Sequence, residues 1–215
     1  MPSVLVAIPS EKEYSFLYPE CEVPEVGVPQ AIDENRYDVA VCGVGLLDFS
    51  VNLSALLAHR RYECVYLVGV CGAYPNRGLC VGNVVRVQSE IVGDMGVQER
   101  EGSFTSWSSL SKSAPVGYGE NGGVLPEALR GLPSVSGLTV NCCTGTSKLA
   151  FDRSARFNVD VESMEGAALF AVCGRFGVPG FEFRAVSNIA TDRDLSAWRI
   201  PEALAALKRE VLDKL

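Results

Sequence analysis

The sequence predicts an α/β fold, on three observations. Continuous apolar runs recur at residues 3–8, 37–42, 64–72 and 181–188, as they do in strands covered on both faces. Helix-length segments separate them, at residues 46–61, at 147–157 and from 201 onward. The chain of 215 residues is long enough for one sizeable domain and short for two. No internal repeat or linker divides it, so residues 1–215 read as a single domain.

In chain order, the run at 3–8 breaks at Pro9-Ser10, and Ser10 and Glu13 have the spacing of a capping box at a helix start. Glu13 therefore has two readings: a capping glutamate, or, as the alternative to Glu11, the carboxylate that projects into a pocket at the end of the first strand. Residues 19–35 are rich in Pro and Glu and read as irregular or edge structure. The second strand, 37–42, leads through Gly43-Val44-Gly45 into the helix at 46–61. A dinucleotide fingerprint would need a third glycine where Asp48 stands, so that motif is absent and Gly-x-Gly reads as structural. The third strand, 64–72, contains Gly69 and ends in Gly72, which suggests backbone that something must approach closely.

Residues 81–87 read as a further strand. The Gly/Ser-rich stretch at 94–123, with Phe104, Trp107 and Tyr118, is long enough to be a lid, a subunit contact or a loop packed on its own domain. Residues 137–145 read as strand and turn before the helix at 147–157. In Val161-Glu162-Ser163-Met164-Glu165-Gly166-Ala167-Ala168 an extended segment hands over to a helix at Glu165. The bare helix start admits close neighbours, and its N–H groups and dipole favour an ionised carboxylate. The strand at 181–188 ends in Ser187-Asn188, at the edge where open α/β sheets hold ligands. Glu165 and Asn188 are thus expected to face one pocket, against plainer roles as a helix-dipole partner and a turn former. The last helix places Leu204, Leu207, Val211 and Leu212 on one face.

Composition excludes several partners. A net charge of −7 leaves no basic stripe for a nucleic-acid backbone. No apolar run reaches the roughly 18 residues of a membrane span, and no basic-then-apolar leader opens the chain, so the expectation is a cytoplasmic protein. The eight cysteines form no C-x-x-C pair and His59 is the only histidine, so no metal site is expected. Most of the cysteines read as small buried hydrophobes rather than a disulfide framework.

The string Ser163-Met164-Glu165-Gly166-Ala167-Ala168-Leu169-Phe170-Ala171-Val172-Cys173, with Phe183-Arg184-Ala185-Val186-Ser187-Asn188 after it, resembles the purine nucleoside phosphorylase and nucleosidase superfamily. The resemblance implies a three-layer α/β/α fold around a central mixed sheet, nucleoside phosphorylase-like. It implies cleavage of a purine nucleoside without metal or organic cofactor, in a homo-oligomer of two or more subunits. It also implies roles: Glu165 on the ribose hydroxyls, Met164 in apolar contact under the sugar, and Glu13 as general base toward water. Asn188 would meet the purine at N7, with Cys71, Gly72 and Thr144, within the segment 141–145, around the base. Phosphorylases of the superfamily carry Arg-x-Gly-Ser/Thr-x-Gly where this chain has Leu67 and Val70, and a Gly-Asp-x-x-Arg loop after strand one that is missing here. Phosphate would meet apolar walls and carboxylates, a costly burial of charge, so water is the expected nucleophile. Asn83 stands where the family's usual Asp opens the strand at 81–87.

Within the superfamily, Glu162-x-Met164-Glu165-Gly166-Ala167-Ala168, Arg184-Ala185-Val186-Ser187-Asn188 and Arg193-x-x-x-x-Trp198-x-Ile200-Pro201 resemble the futalosine hydrolases, nucleosidases of menaquinone biosynthesis. These convert futalosine and water to hypoxanthine and dehypoxanthine futalosine. Relatives that release adenine typically have Asp where Asn188 stands; an Asn amide can accept from N7–H and donate to a 6-oxo group. The competing expectations are a methylthioadenosine/adenosylhomocysteine or aminofutalosine nucleosidase, and a nucleoside-binding protein without activity on the same fold.

Overall fold

The computed structural model describes residues 3–32, 37–111 and 117–215. In chain order the elements are β1 (Val4–Ile8), α1 (Glu11–Leu17), β2 (Gln30–Ile32), β3 (Tyr37–Val41), α2 (Gly45–His59) and β4 (Cys64–Ala73). There follow β5 (Val84–Val92), β6 (Gly96–Gln98), β7 (Phe104–Ser106), α3 (Trp107–Leu110), β8 (Tyr118–Gly119), β9 (Ser134–Thr139) and α4 (Ser147–Phe157). The chain closes with β10 (Val161–Ser163), α5 (Gly166–Phe176), β11 (Gly180–Ile189) and α6 (Ile200–Glu210).

Among the described residues, nine strands form one mixed sheet in the order β10-β9-β5-β11-β4-β1-β3-β2, with β8 beside β5. Parallel pairs (β1–β3, β1–β4, β11–β4, β5–β9, β10–β9) outnumber the antiparallel ones. The sheet also curls back on itself. Val161 and Glu162 of β10 pair antiparallel with Ala73 and Gly72 of β4, which closes β4, β11, β5, β9 and β10 into a ring. The C-terminal ends of β4 and β11 and the start of α5 meet at that closure.

Helices cover both faces because the strands alternate. In β1, Val6 and Ile8 pack with Tyr14 and Leu17 of α1 and with Leu204 and Leu207 of α6. Leu5 and Ala7 point the other way, to Phe49 and Leu53 of α2 and Leu169 of α5. This is the three-layer α/β/α arrangement. The sequence-level boundaries hold to within a residue or two for most elements, and the helix at 147–157 coincides with α4.

Three expectations shift. The strand expected at 81–87 begins at Val84 and runs on to Val92. Asn83 belongs to the preceding turn, its Oδ1 accepting from Cys80 N at 2.9 Å. The strand expected at 137–145 is β9, which starts at Ser134 and ends at Thr139. The stretch 94–123 is not one open loop: β6 and β7 form a hairpin, α3 follows, and Arg156 of α4 lies over the Phe104 ring at 5.3 Å. The part of that stretch at 112–116 lies outside the described residues. Among the cysteines only Cys42, Cys71 and Cys173 are fully buried; Cys80, Cys142 and Cys143 are exposed, and all eight are free thiols. No described helix is long and apolar enough to cross a membrane.

Leu207, with no solvent exposure, helps seal α6 over the sheet. Leu207→Ala is expected to cost about 2–5 kcal/mol of stability in urea unfolding. A loss below about 1 kcal/mol would mean that α6 does not close this face.

Candidate active site

A cavity of about 330 Å³ opens where β4, β10 and β11 end. The residues given site roles line it: Glu13 from α1; Cys71 and Gly72 from β4; Thr144 before α4; Met164 and Glu165 between β10 and α5; Asn188 from β11. Glu11, the other carboxylate considered for the end of the first strand, is exposed and does not line it. Chain distance is no guide here. Glu13 and Asn188 reach the same cavity because β1 and β11 both flank β4 in parallel register.

Glu13 satisfies both of its sequence readings at once. Ser10 N and Ser10 Oγ donate to Oε2 at 3.2 and 2.6 Å, completing the capping box. Val70 N of β4 donates to Oε1 at 3.0 Å, so the cap holds the carboxylate against the cavity wall. The residue is 8% exposed. Burial raises its pKa, and the bonds from Ser10 and Val70, with the Arg184 charge, pull it part of the way back.

Glu165, 3% exposed, is the N-cap residue of α5, but its side chain accepts nothing from that helix. The expectation that its own helix amides hold the charge is corrected. Gly45 N, at the start of α2, donates to Oε1 at 2.9 Å, and Arg184 Nη2 donates to Oε2 at 3.0 Å. The Gly43-Val44-Gly45 turn therefore reaches the site directly, through one N–H.

Arg184 was quoted only as part of a motif, yet it ties the site together. It is fully buried: Nε donates to Glu182 Oε1 at 2.7 Å and Nη1 to the Val70 carbonyl at 3.3 Å. Burial works against its charge, but Glu182 and Glu165 together more than offset that, and its pKa is raised. Gly69 gives it room, since a Cβ there would lie 2.7 Å from Nη1 and 3.0 Å from Glu13 Oε1. The close neighbour of that glycine is a pair of side chains, not approaching backbone.

Asn188 lines the cavity from the end of β11. The Ser187 hydroxyl lies 2.9 Å from Asn188 Oδ1 and 3.2 Å from the Cys71 carbonyl, and its single proton serves one of them. Gly72 lies against Asn188 Nδ2. Thr144 offers less than the segment 141–145 suggested. Its N–H and hydroxyl donate to Glu162 at 2.9 and 2.5 Å, which leaves its carbonyl for other partners. Glu162, another residue sequence reasoning left without a role, also accepts from Tyr74 Oη at 2.8 Å and lies 3.5 Å from Arg153. It locks the floor of the cavity rather than its reactive side.

Phe16, Trp198, Ile200 and Leu204 make the outer wall apolar. No described residue of 94–123 lines this cavity; Met95, Trp107 and Tyr118 frame a separate cleft of about 80 Å³. Among the described residues no cluster of His, Cys, Asp and Glu is arranged to hold a metal ion.

The family model for the phosphorylase superfamily matches residues 32–213. The chain is 34% identical over 185 residues to a futalosine hydrolase of Thermus thermophilus, spanning 79% of this chain and 76% of that protein. It is 30% identical over 206 residues to a futalosine hydrolase of Streptomyces coelicolor, spanning 90% and 84%. Among solved structures, a 5′-methylthioadenosine/S-adenosylhomocysteine nucleosidase of Helicobacter pylori superposes with a TM-score of 0.82 at 13% identity, covering 100% of this chain and 99% of that one. A futalosine hydrolase mutant of the same organism gives 0.79 at 14% identity over the whole of both chains. At these identities the structural likeness concerns the fold.

Removing the Ser10 hydroxyl takes away a bond that favours the charged form of Glu13. Ser10→Ala is therefore expected to raise the Glu13 pKa further, read from the pH titration of its carboxyl ¹³C signal. A fall would contradict the arrangement.

Proposed function

The chain belongs to the phosphorylase superfamily, and on that premise we propose that it hydrolyses the N-glycosidic bond of futalosine, giving hypoxanthine and dehypoxanthine futalosine. The observation that carries the choice of water over phosphate is the wall at Val70. There the backbone N–H donates to the Glu13 carboxylate, and the one guanidinium nearby is already bound to Glu165 and Glu182. Neither that N–H nor that guanidinium is free to grip a phosphate dianion, and Lys12 is the one remaining cation lining the cavity among the described residues; a carboxylate at this wall suits a water that must lose a proton.

In this reading Glu13 accepts the proton of the attacking water. Burial raises its pKa, which makes it a stronger base than an exposed glutamate. Glu165 lies against the ribose hydroxyls and stabilises the positive charge that develops on the sugar as the bond to the base breaks. Met164 gives the sugar an apolar floor. Asn188 holds the departing purine through N7 and the 6-oxo group, while Cys71, Gly72 and the Thr144 carbonyl surround the base. An amide is a weak acid, so Asn188 assists departure by hydrogen bonding.

The names of the relatives support a place in menaquinone biosynthesis. We further infer that the whole chain works as one domain, in the cytoplasm, as a homo-oligomer. The apolar residues Val44, Leu47 and Val51, exposed at the start of α2 beside the cavity, support a covering subunit.

The test is base release from futalosine, inosine and methylthioadenosine, followed chromatographically with and without phosphate. Hypoxanthine from futalosine, at a rate independent of phosphate, is expected. Adenine from methylthioadenosine would establish the adenine-releasing alternative, and tight nucleoside binding without turnover a binding protein. Glu165→Gln is expected to lower kcat by about 10²-fold or more with the fold kept, as circular dichroism would show. Asn188→Asp is expected to move preference toward 6-aminopurines, measured as the ratio of kcat/KM values; an unchanged ratio would remove Asn188 from base reading.

A further inference from the structure

Behind Arg184 lies a second carboxyl, Glu90, that the reaction as described does not use. Glu90 of β5 and Glu182 of β11 both have no solvent exposure. Glu90 Oε2 accepts from the Thr139 hydroxyl at 2.9 Å, and Glu182 Oε1 accepts from Arg184 Nε at 2.7 Å. The two remaining oxygens, Glu90 Oε1 and Glu182 Oε2, have no other partner. Both crowd one point: a Cβ on Gly166 would lie 2.5 Å from the first and 2.4 Å from the second. A Cβ on Gly137 would lie 2.0 Å from Glu90 Oε1. Glycine on both sides leaves room for the two carboxyls and for nothing larger.

Two buried carboxylates facing each other with no cation between them are strongly unfavourable, and a buried oxygen without a partner is itself costly. One proton removes both difficulties. We propose that Glu90 and Glu182 share a single proton, carried on Glu90 Oε1 and donated to Glu182 Oε2, and that Glu182, so braced, is the positioning residue that aims Arg184 at Glu165.

The charges around the pair support this placement. Arg184 of β11 and Glu165 at the start of α5 act on Glu182, Cys71 of β4 is within reach of both carboxyls, and Glu13 of α1 and Glu162 of β10 act on Arg184 and Cys71 respectively. Of these groups only Arg184 is a cation, and its bonds to carboxylate go to Glu182 and Glu165. Glu13 has three donors of its own, from Ser10 and Val70. Glu90 has only a hydroxyl, so it is the member that retains the proton; burial and the Glu182 charge both push its pKa up. Thr139 in turn accepts from Ala167 N, which links the pair to the first turn of α5 and so to the backbone that carries Glu165.

The positioning role rests on the nucleosidase reading above, whereas the shared proton does not. Infrared spectroscopy of the substrate-free protein at neutral pH separates the two. A protonated-carboxyl band, slow to exchange in heavy water, is expected in the wild type and is expected to be lost in Glu90→Gln. Absence of the band in the wild type, which needs no variant, would overturn the proposal, as would its survival in Glu90→Gln.

The sign of the stability change is also fixed. A carboxyl whose folded pKa is raised loses stability as pH climbs from the ordinary carboxylate range through the raised value, because the folded state holds its proton longer. Glu90→Gln should therefore gain on the wild type over that interval in pH-dependent unfolding, and a constant difference would count against the shared proton. In activity, Glu182→Gln is expected to lower kcat by about 10²-fold with KM changed far less, while Glu90→Gln stays within about tenfold of the wild type. Equal damage from the two would reduce the pair to a structural role.

Discussion

Arg184 is a fully buried cation, and the shape of the reactive side of the cavity follows from how its charge is matched. A guanidinium taken out of water is tolerable only with carboxylates in good geometry, and removing one partner of such a pair costs on the order of 3–5 kcal/mol. Glu182 on the same face of β11 and Glu165 at the start of α5 are those partners, at 2.7 and 3.0 Å. Once they are fixed, the Val70 carbonyl caps the third direction of the fork and the Val70 N–H on the same peptide wall turns to Glu13. The two carboxylates given chemical roles are thereby held on opposite arms of one rigid network. Rigid placement of charge against a reacting sugar is worth more than the same charge on mobile side chains.

The family resemblance and the physics of the wall point the same way for different reasons. The shared fold with nucleosidases of Helicobacter pylori fixes where strands end, not what attacks. What attacks is decided locally. Val70 stands where a hydroxyl would be needed to hold phosphate, and Leu67 is fully buried in the core among α2 and α5 side chains, away from the cavity. In the proposed reading, the change from phosphate to water amounts to replacing cation and hydroxyl by apolar side chains, with the Glu13 carboxylate at that wall.

Much of this was legible in the sequence because its signals are local. The capping box of Ser10 and Glu13, the handover from strand to helix at Glu165 and the strand ending at Ser187-Asn188 each depend on a few neighbouring residues. The charge partners were not legible. Residues 181–188 read as an apolar run although Glu182 and Arg184 interrupt it, and only their position two residues apart on one face shows that they pair. Glu90 follows Gln88 and Ser89 and looks like the polar end of a strand, yet the sheet continues past it and buries it. Gly166 suggested room for a ligand or for backbone; the structure fills that room, and the room beside Gly137, with carboxyl oxygens, a long-range fact no local pattern encodes. The hairpin inside residues 94–123 was hidden for the converse reason: its strands are three residues each and too short to show a period.

The central claim is that water, activated at Glu13, replaces phosphate as the nucleophile. The most direct measurement is futalosine cleavage in ¹⁸O-labelled water with phosphate present, with the sugar product analysed by mass. The account predicts one ¹⁸O atom in dehypoxanthine futalosine, no phosphorylated sugar, and loss of the reaction in Glu13→Gln. An unlabelled sugar phosphate formed at a phosphate-dependent rate would contradict it.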